Sequence, residues 1–276
     1  MKLRKALDKA RDEREKGIDQ DQEDFFRPDM PDSPRKKAGV EISHTKEDLW
    51  KTPSYSTSKI YRINHDIVAA NRGVCVNPAA EEIQRYQILK TRIHQRMEAN
   101  SLNTIMITSP NKKEGKTVNA INMAFTFARG MRQTVLLVDC DFTGQDIHRY
   151  LGIESSLSLI DHFIEGTSLN ELIIWPGIDN LTLISGDRTV LDGSEILSSK
   201  AMEKMVQEMK HRYDDRYVLF DAPPVLEHAE AISMAPMMDG IIMVVEAGVT
   251  PAKDVKKALS MLPKEKILGL VLNKRA

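Results

Sequence analysis

Thr104-Ile105-Met106-Ile107-Thr108-Ser109-Pro110-Asn111-Lys112-Lys113-Glu114-Gly115-Lys116-Thr117 is the stretch on which the fold turns. A short apolar and β-branched run, suited to a buried strand, leads into a polar turn that closes on Gly115-Lys116-Thr117. From there the pattern changes to helical spacing over 116–129. Strand, glycine-closed turn and helix in that order make a cradle for phosphate. The loop amides and the helix start offer partial positive charge, Lys116 adds a full one, and the Thr117 hydroxyl can ligate Mg²⁺. The tripeptide alone occurs by chance and can be an exposed basic turn; its place between a strand and a helix gives it weight. Asn111, Lys112, Lys113, Glu114, Gly115, Lys116, Thr117 and Val118 are the candidate cofactor-binding stretch. The loop is poor in glycine. Pro110, which has no N–H, stands where the usual pattern begins with glycine, and Lys112 and Lys113 fill two further positions often held by glycine. Fewer glycines restrict positive φ and crowd the backbone against a phosphate. The two lysines are expected to compensate with charge.

Downstream, Val135-Leu136-Leu137-Val138 ends in Asp139-Cys140-Asp141, and Tyr217-Val218-Leu219-Phe220 ends in Asp221-Ala222-Pro223-Pro224. Alternating acids at a strand end project to one side of the sheet's C-terminal edge, where open α/β sheets take their ligands. Each Asp read singly can equally be a helix cap. Further strand-like runs lie at Leu181–Ile184, Ile241–Val245 and Ile267–Leu272, with helical patterns at 157–165, 195–212, 229–237 and 251–261. The alternation predicts an α/β fold, a mostly parallel sheet with helices on both faces. The methionines at 202, 205, 209, 234, 237 and 238 recur at helical spacing and read as core filling, or as a subunit interface.

Upstream, Asn77-Pro78 reads as the start of an amphipathic helix carrying Ile83, Tyr86, Leu89, Ile93 and Met97 to about Glu98. Before it the chain is charged and holds Pro28, Pro31, Pro34 and Pro53. Residues 1–76 are therefore expected to be a largely disordered extension, either a solvated tether or a partner-binding arm, and 77–276 the nucleotide-binding domain. With 276 residues, 41 % apolar content and a net charge of −1, the chain suits one α/β domain with a polar extension. The charge balance argues neither for nor against a nucleic-acid partner, and none is expected. No apolar run approaches the roughly 20 residues that span a bilayer. Cys75 and Cys140 are far apart and read as reduced thiols, and His148, His162, His211 and His228 lack metal-site spacing. The expected location is cytoplasmic.

Lys116-Thr117, Asp139-x-Asp141 and Asp221-Ala222-Pro223-Pro224 together resemble the MinD/ParA-like branch of the P-loop NTPases. Within it, Tyr86–Ile93, Gly186–Ser199, Asp239–Val245 and Leu268–Asn273 resemble the bacterial tyrosine autokinases of capsular and exopolysaccharide synthesis, over roughly residues 80–274. The resemblance implies ATP and Mg²⁺ as cofactors. Lys116 would contact phosphates, Thr117 and Asp221 would organise the metal, and Asp139 would ligate it or take the proton of an incoming tyrosine. Asp141 would support Asp139, and Asn273 would touch the adenine. It also implies a homo-oligomer, an activating membrane-embedded polysaccharide co-polymerase or chain-length protein, and a place at the inner membrane through that partner only.

The sequence departs from the family in three places. Thr143 stands where an Arg is usual, and Gln84, Gln87 and Lys90 replace the Glu-x-x-Arg-x-x-Arg of the oligomerisation helix. No tyrosine follows Tyr217, so Tyr55 and Tyr61 are the expected acceptors in place of a C-terminal tyrosine cluster. A non-kinase regulatory ATPase of the same export machinery and a MinD/ParA-type positioning ATPase are the alternatives to a kinase.

Overall fold

The alternating apolar runs become strands of a single sheet. A computed structural model describes residues 59–77, 82–98, 102–130, 134–190, 192–211 and 216–274. Among these, the strands are β1 (Lys59–Ile60), β2 (Thr104–Thr108), β3 (Thr134–Asp139), β4 (Ile174–Trp175), β5 (Leu181–Ile184), β6 (Arg216–Asp221), β7 (Gly240–Glu246) and β8 (Ile267–Asn273). Their order across the sheet is β1-β4-β5-β3-β6-β2-β7-β8. Every pairing is parallel except β4 with β5. The four longest described helices are α1 (Ile83–Glu98), α2 (Lys116–Ala128), α3 (Lys200–His211) and α4 (Ala252–Ser260).

Strand periodicity divides the core in two. Met106, Val138, Phe220 and Met243 belong to one buried cluster, shared with Met202, Met205 and Met209 of α3. Ile107, Leu137, Leu219 and Val244 belong to the other, shared with Ile121 and Phe125 of α2 and Ile93 of α1. Residues one step apart on a strand point to opposite faces, so β2, β3 and β6 are buried along their whole length and apolar between their ends because both faces are covered. The methionines of α3 serve as core filling.

Register then places the acids. Asp139 pairs with Asp221 across β3 and β6, and Ile107 pairs with Asp221 across β2 and β6. The phosphate loop leaving β2 and both carboxylates thus meet at one C-terminal edge.

The boundary expected at Asn77 is corrected. Residues 1–58, with Tyr55 and the expected tether, lie outside the described residues, but 59–77 belong to the folded unit. Asn64 caps a helix over His65–Ala70, its Oδ1 accepting from Asp66 N at 3.0 Å and Ile67 N at 3.2 Å. Val68 and Cys75 are buried in the α2-side core. Asn77 follows a 3₁₀ turn at Val74–Val76 instead of capping α1. The clamp is Asn122 of α2, whose Oδ1 accepts from Cys75 N at 2.9 Å while Nδ2 donates to Arg72 O and Val118 O, each at 3.0 Å. Asn122 is 1 % exposed. Asn122→Ala leaves a buried N–H unpaired and is expected to cost about 1–3 kcal/mol in urea unfolding. A midpoint equal to wild type would show that 59–77 does not depend on this clamp.

Tyr61 is also not on a free arm. Its N–H donates to Trp175 O at 3.1 Å, and its ring packs, half-buried, on the core.

Candidate active site

The loop from Ser109 to Gly115 is pinned at both ends. Val225 N donates to Ser109 O at 2.9 Å and Leu226 N to Pro110 O at 3.1 Å, tying the loop's start to the segment after β6. Asn111 Nδ2 and Thr250 Oγ1 donate to Glu114 Oε1 at 3.2 and 2.6 Å, so a buried Glu114 braces the middle. At the end, Asn273 Nδ2 donates to Glu114 O at 2.9 Å. The missing glycines have a local consequence at Lys113. It holds φ 65°, a left-handed conformation unusual for a side-chain-bearing residue, and its carbonyl accepts from Lys274 Nζ at 2.6 Å. Lys112 does not supply free charge to the loop as expected. Its N–H and Nζ both engage Glu227, at 2.7 and 3.3 Å.

Gly115 has φ 96°, and a Cβ there would fall 2.0 Å from Asn273 Nδ2. Gly115→Ala therefore strains the backbone and dislodges Asn273, at a cost of about 1–3 kcal/mol. The expected result is loss of most of the thermal stabilisation that Mg²⁺-ADP gives the wild type; an undiminished shift would contradict it.

Five predicted residues converge at the head of α2. Lys116 Nζ lies 2.8 Å from Asp141 Oδ2 and 3.5 Å from Asp221 Oδ2. Thr117 Oγ1 donates to Asp221 Oδ2 at 2.6 Å. Asp139 sits beside them, with Oδ2 accepting from Ile147 N at 3.1 Å and Ser185 Oγ at 3.0 Å, and Oδ1 accepting from Asp141 N at 3.2 Å. Thr143 donates to Asp141 Oδ1 at 2.8 Å, so the residue standing in for the usual Arg orients this acid. Asp139 and Asp221 are 0 % and 1 % exposed.

Burial and crowding set the charges. Burial alone would lower the Lys116 ammonium, but Asp221 and Asp141 more than offset it and hold it well above the ordinary lysine range. Burial pushes Asp139 up to about 8, with the Asp221 charge adding to the rise and the Ile147 N–H opposing it. Burial also raises Asp221, to about 6, against the pull of Lys116 and Thr117. Asp141 moves the other way. Burial raises it, yet the Lys116 charge and hydrogen bonds from Lys116 and Thr143 bring it below the usual carboxylate range.

Asn273 and Val118 are brought together elsewhere, in a cleft of about 560 Å³ that also takes in Gly115, Asn119, Arg72 and Tyr86. Tyr86 Oη donates to Asn119 Oδ1 at 3.0 Å, and Asn119 Nδ2 donates to Gly115 O at 2.9 Å, linking α1 to the loop. Sequence reasoning missed Arg72, Asn119 and Ser185. Ser185 had a signal, since it directly follows an apolar strand as Asp139 and Asp221 do. Asn119 also had one, three residues after Lys116 on the predicted helix.

The donor set fits a divalent ion held partly by phosphate. Among the described residues no group of three or more His, Cys, Asp and Glu forms a metal cage. Mg²⁺ needs none, because it is commonly bound through one or two carboxylates together with substrate phosphates. Two buried acids that repel each other, one already bonded to a threonine hydroxyl, supply hard oxygen donors whose charge a cation would relieve.

Comparison with known proteins agrees with this geometry. The family model described as AAA domain matches residues 103–264. The tyrosine-protein kinase YwqD of Bacillus subtilis is 28 % identical over 198 residues, covering 71 % of this chain and 82 % of that protein. The kinase domain of the Escherichia coli tyrosine kinase ETK superposes with a TM-score of 0.67 at 26 % identity, over 72 % of this chain and 79 % of that one. MinD of Pyrococcus horikoshii, complexed with Mg-ADP, shares the fold at a TM-score of 0.51 and 23 % identity, over 63 % of this chain and 72 % of that one. A phosphate loop on β2, with paired acids at the adjoining strand ends and a family match spanning them all, makes this chain a member of the AAA domain family, similar within it to bacterial tyrosine-protein kinases.

Proposed function

We propose that the chain is an ATP-dependent protein tyrosine kinase that regulates the synthesis and export of capsule or exopolysaccharide. The observation that carries this is the cluster of three carboxylates around the Lys116 ammonium at the phosphate loop. The likeness to YwqD, over most of both chains, supplies the class of acceptor.

ATP with Mg²⁺ would supply the phosphoryl group. Lys116, the loop from Asn111 to Gly115 and the start of α2 hold the phosphates; Thr117 and Asp221 hold the metal, with Asp139 beside them. Val118 and Asn273 border the cleft that takes the nucleoside. Asp139 takes the proton of the incoming tyrosine hydroxyl, a task suited to a carboxyl whose affinity for protons is raised by burial. Asp141 anchors Lys116. Phosphoryl transfer depends mainly on positioning and charge neutralisation, which such a set provides.

The chain would act as a homo-oligomer beside a membrane-embedded polysaccharide co-polymerase. None of its described helices is long and apolar enough to cross a membrane.

A nucleotide-switched regulatory ATPase is favoured by one observation, the left-handed Lys113 in a glycine-poor loop. Incubation with Mg²⁺-ATP and a tyrosine-containing copolymer separates the two. Phosphotyrosine on the copolymer supports the kinase, and released phosphate without it assigns the chain to the switch class.

A further inference from the structure

Asp139 is held by groups that no sequence motif marks. Ser185 follows β5, which pairs with β3 so that Val138 stands opposite Ile184. The next residue on each strand is therefore Asp139 on one and Ser185 on the other, side by side at the sheet edge. Their contact is the 3.0 Å bond from Ser185 Oγ to Asp139 Oδ2.

Ser185 is itself seated. Its Oγ accepts from His148 N at 3.1 Å and lies 3.2 Å from His148 Nδ1. Ser185 is 0 % exposed and His148 4 % exposed, so no bulk water competes for these bonds.

For ionised Asp139, the form that a cation would meet, protons and lone pairs match one to one. A serine hydroxyl donates once and accepts twice. With its proton on Asp139, it accepts from the His148 N–H and, in the tautomer that carries hydrogen on Nδ1, from that nitrogen, which fills every position. Each carboxylate oxygen offers about two lone pairs. Oδ2 receives Ile147 N–H and Ser185 O–H and is saturated. Oδ1 receives only Asp141 N–H and keeps a free position.

We propose that Ser185, seated by His148, is a positioning residue that locks Asp139 Oδ2 and leaves Oδ1 as the oxygen that meets the metal or the acceptor hydroxyl. This rests on the kinase reading for the acceptor, but on nucleotide and metal binding alone for the metal. Without the Ser185 bond, Oδ2 regains a free position, the carboxylate can rotate, and the site loses its single presented oxygen. Outer partners of this kind typically alter metal affinity or activity 10–100-fold, on the order of the effect expected here.

The test is a Mg²⁺ titration of ADP binding by calorimetry on the full chain, with Ser185→Ala, Ser185→Thr and His148→Leu beside wild type. Ser185→Ala should need about 10-fold more Mg²⁺ for half-saturation, with ADP affinity in EDTA unchanged. Ser185→Thr keeps the hydroxyl and should return towards wild type, and His148→Leu should shift less than Ser185→Ala in the same direction. In the transfer assay, Ser185→Ala should lower kcat and leave KM for ATP unchanged.

A Ser185→Ala protein with wild-type Mg²⁺ dependence overturns the proposal, even if its melting temperature falls. If the Thr variant fails to show a melting transition, the Ala and His148 arms decide. A wild type that binds Mg²⁺-ADP but makes no phosphotyrosine would sink the kinase reading alone, leaving Ser185 to be judged on the Mg²⁺ arm. A wild type without Mg²⁺-dependent binding overturns both.

Discussion

Lys116→Met is expected to lower phosphotyrosine formation by at least about 10²–10³-fold, the cost of removing a cation aimed at developing charge in a water-poor site. The same change should mark the nucleotide-free protein. Lys116 is ion-paired with both Asp141 and Asp221, and its side chain is only 11 % exposed. Breaking a buried pair by removing one partner costs about 3–5 kcal/mol, because it leaves charge uncompensated.

The sign with pH follows. In wild type the Asp141 carboxyl is held below its ordinary value of 3.8. Its pairing therefore stabilises the fold above that value and is lost as the pH falls through its folded pKa. Without Lys116, Asp141 is raised instead and Asp221, already raised to about 6, rises further, so their penalty grows as the pH rises. Urea unfolding should thus show a larger loss at pH 8 than at pH 5. An equal loss at both would mean that Lys116 acts on stability through packing alone.

Asp139→Asn should separate catalysis from stability. An amide takes no proton from the acceptor hydroxyl, so transfer should fall about 10²–10⁴-fold. In EDTA and without nucleotide, however, the variant should be more stable than wild type at pH 8. The folded Asp139 carboxyl is pushed up to about 8 from 3.8. Such a group stabilises the fold least at high pH: its contribution is intact below the unfolded value and declines as the pH rises through the folded one. Asn removes that penalty. Its carbonyl can keep the Ile147 and Ser185 bonds, but its NH₂ then faces the Asp141 N–H, costing about 1–3 kcal/mol. The advantage should therefore shrink towards pH 5 and reverse there. A variant less stable than wild type at pH 8 would contradict the assignment of Asp139 as a destabilised buried acid.

How much of this was legible in the sequence follows from which residues act locally. β2, β5 and α2 were readable because each joins an uninterrupted apolar run or period to a sharp change at its end, as at Thr108-Ser109 and Gly115-Lys116. Asp139 and Asp221 were readable for the same reason, since each ends a strand, and Asp141 lies two residues past the first of them. β1 and the helix over His65–Ala70 were not. A two-residue strand and a six-residue helix are shorter than the window in which periodicity is visible. Their order comes from partners distant in sequence, Trp175 and Asn122 among them. The single helical pattern expected over 195–212 divides into Ser194–Leu197 and α3, because Ser199 Oγ accepts from Met202 N at 3.1 Å and restarts the helix.

Lys116, Thr117, Asp139, Asp141 and Asp221, named from the sequence as candidates, come together at the head of α2, while the turn of Lys112 towards Glu227 was not foreseen. That ion pair joins residues 115 positions apart. Ser185 and His148 have the same character. Ser185 is marked only by its place after an apolar run and His148 by nothing, and they meet Asp139 only when β5 is laid beside β3.

Transfer of γ-³²P from ATP to tyrosine in the purified chain, read by phosphoamino-acid analysis with Mg²⁺ and again with EDTA, tests the central claim most directly. The predicted result is Mg²⁺-dependent phosphotyrosine that disappears in Lys116→Met and Asp139→Asn. Label recovered only as free phosphate, or phosphotyrosine that survives either substitution, would contradict it.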